Sequence, residues 1–145
     1  MRLVNDDSQV SSAWFVFFSI LLCALLLMVS CEAQAYTDEE AIESIIGESA
    51  SEPDSMKHIA HAIRNRGTLS GVYGLKNPYV KRATGQDWQR ASKAWYESEN
   101  ELDPTNGANH WHAVEKEGKV YWQDKCVETI KSGSHTYFNC PWSVK

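Results

Sequence analysis

Nineteen consecutive residues, Ala13 to Cys31 (AWFVFFSILLCALLLMVSC), carry no charge, and this run limits how much of the 145-residue chain is left to build a water-soluble core. About 20 apolar residues are needed to cross a bilayer, so the run is long enough for a membrane anchor. Its C-terminal flank, Cys31-Glu32-Ala33-Gln34-Ala35, has the small-x-small pattern of a signal-peptidase site, which would leave Tyr36 first. The segment before it is a poor signal-peptide n-region, because Arg2 and the terminal amine are offset by Asp6 and Asp7, which keeps an uncleaved or slowly released anchor as the alternative. Val29-Ser30-Cys31 is a poorer lipoprotein site, with Met28 where a Leu is expected. Residues 1–35 therefore read as a signal peptide or anchor and 36–145 as one exported domain, in the periplasm or cell envelope.

Beyond the leader, 13 basic residues stand against 16 acidic ones, a net charge of −3. Nucleic-acid binding relies on clustered Lys and Arg neutralising phosphates, so that class of partner is disfavoured. Cys23 and Cys31 belong to the leader, leaving Cys126 and Cys140. An even pair outside the cytosol points to a disulfide, worth about 3 kcal/mol in the chain-entropy view. Two buried thiols are the alternative. A zinc pair fits less well, since fourteen residues is not a metal-knuckle spacing.

The first half of the domain reads helical. Thr37-Asp38-Glu39-Glu40 is a capping box, followed by the apolar face Ala41, Ile42, Ile45 and Ile46, with Gly47 loosening the turn. A second helix is expected from Pro53, carrying Met56, Ile59, Ala60 and Ile63 until Gly67 stops it. Residues 68–85 read as irregular, and Trp88, Ala91 and Trp95 give a third helix from Asp87. Asp103-Pro104-Thr105-Asn106-Gly107 is a turn, and extended pieces are expected at Trp111–Val114, Val120–Trp122 and Thr136–Phe138. The class is α+β, mainly helical.

Two carboxylates stand out. Glu48 follows Ile45-Ile46-Gly47, where burial beside apolar side chains would suit a general acid. Glu52 precedes Pro53 at a helix N-terminus, where the macrodipole favours the charged form. His110 and His112 would share one face of a strand, and His58 and His61 lie about one helical turn apart, so together they could ligate zinc. No HExxH accompanies them. Five tryptophans and six tyrosines beyond the leader would serve either as core or as an aromatic groove, whose ring faces stack on sugars.

The ordered series Gly47-Glu48-Ser49-Ala50-Ser51-Glu52, Ile59-Ala60 through Ala62-Ile63-Arg64-Asn65-Arg66, Asp103-Pro104-Thr105-Asn106-Gly107-Ala108, His112, Trp122 and Gly133-Ser134-His135-Thr136-Tyr137-Phe138 resembles the spore cortex-lytic enzyme (SleB) type of cell wall hydrolase. The resemblance runs from about residue 38 to about residue 140. Ser49 and Ser51 depart from the family's G-E-A-x-G-E, Tyr137-Phe138 reverses its terminal pair, and only Gly85-Gln86 matches its G-Q-F.

The resemblance implies a compact, lysozyme-like (lytic transglycosylase-like) domain. It implies cleavage of the β-1,4 bond between N-acetylmuramic acid and N-acetylglucosamine in peptidoglycan, as a lytic transglycosylase or muramidase. Glu48 takes the place of the family's acid, with Glu52 a secondary, electrostatic carboxylate. Gln86, His112, Trp122, His135 and Tyr137 are the expected groove contacts. No cofactor is needed, the partner is the glycan strand, the membrane is met only through the N-terminal segment, and the protein is expected to be a monomer. Two other functions fit the residues. One is a zinc peptidase or amidase using His110 and His112. The other is a non-catalytic wall-binding protein.

Overall fold

The computed structural model describes residues 36–49 and 52–141. The expected leader, with its apolar run and processing site, lies outside them, as do Ala50 and Ser51 of the first motif. Among the described residues no helix is long and apolar enough to cross a membrane.

Helix α1 (Asp38–Glu48) begins at the expected capping box, in which the Thr37 N–H donates to Glu40 at 2.8 Å and the Glu40 N–H donates back to the Thr37 hydroxyl at 3.2 Å. Helix α2 spans Met56–Arg66 and ends at Gly67, whose φ of 70° is the left-handed conformation glycine adopts at little steric cost. The expected start at Pro53 is instead a short 3-10 turn, Pro53–Ser55, leading into α2. Helix α3 (Gly85–Glu97) starts two residues before its expected position, because Thr84 and Asp87 form a second capping box.

These helices bury Ile45, Ile46, Ile59, Ile63 and Trp95 completely, each contributing about 1.5–3 kcal/mol relative to an exposed side chain. Trp95 is also held at its edge and its face: its indole N–H donates to Asp38 at 2.9 Å, and the Arg64 guanidinium lies over one of its rings, 3.8 Å from the centre. Tyr36 packs beside it with ring centroids 6.1 Å apart.

The second half supplies a three-stranded antiparallel sheet in the order β1-β3-β2, from β1 (His110–His112), β2 (Val127–Ser132) and β3 (His135–Asn139). Trp111 pairs with Tyr137 across β1 and β3, and a register shift between Glu128 and Ile130 bends β2. Asn109 lengthens the β1–β3 ladder with its side chain, accepting from the Cys140 N–H and donating to the Cys140 carbonyl, both at 2.9 Å. The piece expected to be extended at Val120–Trp122 is a turn, closed by the Gln123 N–H donating to the Val120 carbonyl. A four-residue helix, α4 (Val114–Glu117), precedes it. The result is a small α+β domain, about half helical among the described residues.

Cys126 and Cys140 form the expected disulfide, joining the start of β2 to the residue after β3. The Asp103 turn is joined to α2: Asn65 Nδ2 donates to Asp103 Oδ2 and to the Ala108 carbonyl, both at 2.9 Å. Asp103 also accepts from the Thr105 and Gly107 N–H groups at 2.8 Å. Burial would raise the Asp103 carboxyl, but these hydrogen bonds outweigh it and hold it below its ordinary value.

Candidate functional site

Gly47 does not loosen α1. It is buried, and a Cβ there would lie 2.0 Å from the Gly74 carbonyl oxygen; a Cβ on Gly74 would in turn lie 2.2 Å from the Ser44 carbonyl oxygen. Two glycines therefore let the segment around 74 lie directly on the helix backbone. Asn77 fastens it by donating from Nδ2 to the Gly47 carbonyl at 2.6 Å.

That close approach builds the surroundings of Glu48. Its Oε1 accepts the Tyr73 N–H at 2.9 Å and the Gly74 N–H at 2.8 Å, while Oε2 accepts the Trp111 indole N–H at 3.1 Å. The sequence placed Glu48 beside apolar side chains; the folded chain surrounds its carboxyl with three N–H donors from two distant segments.

Glu48 lines a cleft of about 830 Å³, within the range that encloses small ligands. Three further stretches contribute: Arg66 with residues 70–73, His110 to Ala113 on and after β1, and the turn bearing Val120, Tyr121 and Trp122. Glu117, Lys125 and His135 complete the lining. Trp122 is fixed by ring contacts with His110 (5.2 Å), His112 (6.4 Å) and Phe138 (5.5 Å). The disulfide holds the next residues of this segment to the end of β3.

Among the expected groove residues, His112, Trp122 and His135 reach this cleft with Glu48. Tyr137 does not: it is fully buried in the core, and burial pushes its phenol well above the usual range. Gln86 does not either, being exposed on the first turn of α3. Arg66, Tyr73, Trp111 and Tyr121 do line it, and beyond aromatic content and the Asn65-Arg66 pair no local pattern marks their convergence.

Glu52 lies outside the cleft lining. Its Oε2 accepts the Ser134 N–H at 2.7 Å and the Ser55 hydroxyl at 3.2 Å, and its Oε1 lies 3.3 Å from Lys116 Nζ. Hydrogen bonds at Ser134, with Lys116 in support, hold its carboxyl down to about 2. The charged form expected at Glu52 is thus favoured by the β2–β3 turn and α4, and its side chain caps no helix. Gly133 fits this contact in two ways: its φ is 58°, and a Cβ would lie 2.2 Å from Glu52 Oε2.

His110, His112 and His135 line the cleft, whereas His58 and His61 of α2 are not in its lining. His61 faces Asp103 at 3.7 Å, His58 meets Ser132 and the Tyr137 ring, and His112 bonds the Gly118 carbonyl through Nε2 at 2.9 Å. Among the described residues no three His, Cys, Asp or Glu side chains are placed to share a metal. Burial, with Arg66 nearby, lowers His110 to about 4, and burial lowers His135 against the opposing charges of Glu52 and Glu48. Both rings are therefore neutral near pH 7.

Against known families, curated proteins and solved structures, the chain has no significant match.

Proposed function

We propose that the protein cleaves the β-1,4 bond between N-acetylmuramic acid and N-acetylglucosamine in peptidoglycan, with Glu48 as its single acid/base. The observation that carries this reading is the position of Glu48: an oriented carboxyl lining an aromatic cleft, held by the Tyr73, Gly74 and Trp111 N–H groups. Orientation matters because proton transfer needs the carboxyl oxygen within hydrogen-bond reach of the leaving oxygen.

Protonated Glu48 gives its proton to the glycosidic oxygen as the bond to the muramic acid carbon lengthens and positive charge develops on the ring. The resulting carboxylate then takes a proton, either from the muramic acid C6 hydroxyl as that oxygen closes a 1,6-anhydro ring, or from a water that adds to the ring carbon. Two backbone donors on Oε1 steady the group through both steps.

The lysozyme-like arrangement belongs to the same proposal, with the acid at the end of a helix and a small antiparallel sheet donating to it through Trp111. So does an exported location in the periplasm or envelope, which the disulfide supports. Glu52, ion-paired with Lys116 and hydrogen-bonded by the Ser134 N–H outside the cleft lining, serves as a strut in this scheme.

The test is mass spectrometry of products from purified peptidoglycan. Anhydromuramic or reducing muramic ends support the proposal, and intact glycan with freed peptides overturns it.

A further inference from the structure

Tyr73 is 74% exposed and Tyr121 91% exposed, yet both line the same cleft as Glu48. Isolated exposed aromatics are ordinary on a protein surface; two from separate segments at one cleft are less so. Each is next to a residue fixed inward. Gly74, after Tyr73, lies on the α1 backbone, and Trp122, after Tyr121, packs on His110 and Phe138. The backbone at Tyr73 is held further by its N–H donating to Glu48 and its carbonyl accepting from the Lys76 N–H at 2.9 Å. Both rings are thus presented on anchored backbone.

The charges of the cleft narrow the ligand. The lining mixes two basic side chains, Arg66 and Lys125, with two acidic ones, Glu48 and Glu117, and its His110 and His135 rings are neutral near pH 7. A phosphate-rich or strongly acidic ligand would meet the Glu117 carboxylate, and a cationic one Arg66 and Lys125. A neutral, polyhydroxylated ligand with apolar faces fits both the balance and the exposed rings, since aromatic faces pack on the C–H face of a sugar while the phenol oxygens bond its hydroxyls.

We propose that Tyr73, whose N–H bonds Glu48, and Tyr121, on the Val120–Trp122 turn, are two stacking platforms for a neutral β-1,4 glycan of N-acetylated sugars. The choice of sugar rests on the glycosidase reading, and the experiment separates the two ideas.

The probe is the β-1,4 hexamer of N-acetylglucosamine, titrated into full-length Glu48→Gln protein with intrinsic tryptophan fluorescence as the readout. Tyr73→Ala and Tyr121→Ala, each added to this parent, weaken binding about tenfold, as expected from losing a ring contact. Tyr73→Phe and Tyr121→Phe restore most of it. Tyr96→Ala, which removes an exposed tyrosine outside the cleft lining, leaves binding as in the parent.

Alanine variants that bind like the parent overturn the platforms, as does equal loss in Tyr96→Ala or a parent that does not bind. If the parent shows the stacking pattern while unsubstituted protein cleaves no wall, the platforms stand and the glycosidase reading fails. If wall is cleaved while the alanine variants bind unchanged, the reading stands and the platforms fail.

Discussion

The indole N–H of Trp111 donates to Glu48 Oε2 at 3.1 Å across 63 residues of sequence, so the sheet meets the helical half at the candidate acid itself. Trp111 sits opposite Tyr137 in the β1–β3 ladder, and Tyr137 belongs to the same core cluster as Ile45 and Ile46. Packing of the two halves and placement of the acid are therefore one structural event.

Glu48→Gln is expected to reduce wall cleavage by about 10²–10⁴, the usual contribution of general acid–base catalysis. The amide oxygen can still accept the Tyr73 and Gly74 N–H groups, but the amide NH₂ then faces the Trp111 donor. A cost of about 1 kcal/mol for that lost bond leaves the variant folded. Turbidity clearing of purified peptidoglycan beside thermal melts is the check; unchanged clearing by folded variant excludes Glu48 as the acid.

Gly47→Ala tests the architecture behind the acid. The new methyl would lie 2.0 Å from a backbone oxygen, so no rotamer change relieves it and the segment around Gly74 must move away from α1. That movement withdraws both N–H donors from Glu48 Oε1. The expected cost is at least about 3 kcal/mol, the upper end for overpacking, with activity falling further than stability alone explains. Denaturant melts and clearing assays at equal folded fraction measure the two effects.

The helices were legible because their signals are local. Thr37 with Glu40 announced the start of α1, the Met56, Ile59, Ala60 and Ile63 spacing gave the buried face of α2, and Gly67 marked its end. Thr84 with Asp87 carried the same kind of signal and places α3 two residues early. The cleft was less legible because its parts are distant in sequence: Tyr73 meets Glu48 through a glycine contact with α1, and Trp111 through strand pairing. Strand β2 gave little signal, since Glu128 and Lys131 interrupt its apolar pattern and much of it is exposed. The motif around Tyr137 suggests a groove residue, whereas its place in the central strand turns it into the core.

Reduction of Cys126–Cys140 should destabilise the domain by about 3 kcal/mol. The bond closes the segment between β2 and β3 at the point where the turn bearing Trp122 begins to enter the sheet. Its loss should also weaken glycan cleavage more than it weakens the packing of Trp95 among the helices. Melts with and without reductant, and the same comparison on a Cys126→Ser/Cys140→Ser variant, separate loss of the bond from other effects of the reductant.

Glu52 should give the domain an acid-sensitive component of stability. Its carboxyl falls from 4.5 to about 2 on folding, through the hydrogen bonds at Ser134 and the charge of Lys116. The folded value lies below the unfolded one, so unfolding takes up a proton between them and stability rises with pH through that interval. The contribution is complete above about pH 4.5 and is lost as pH falls toward about 2. Glu52→Gln can still accept the Ser134 N–H but leaves Lys116 without its counter-charge. Urea melts across this interval should show wild type more stable than Glu52→Gln near neutrality, with the gap closing as acid protonates Glu52. Parallel stability curves down to pH 2 would mean that the strut contributes no pH-linked stability. Because Glu52 sits outside the cleft lining, folded Glu52→Gln is expected to retain measurable wall cleavage near neutrality, in contrast to Glu48→Gln.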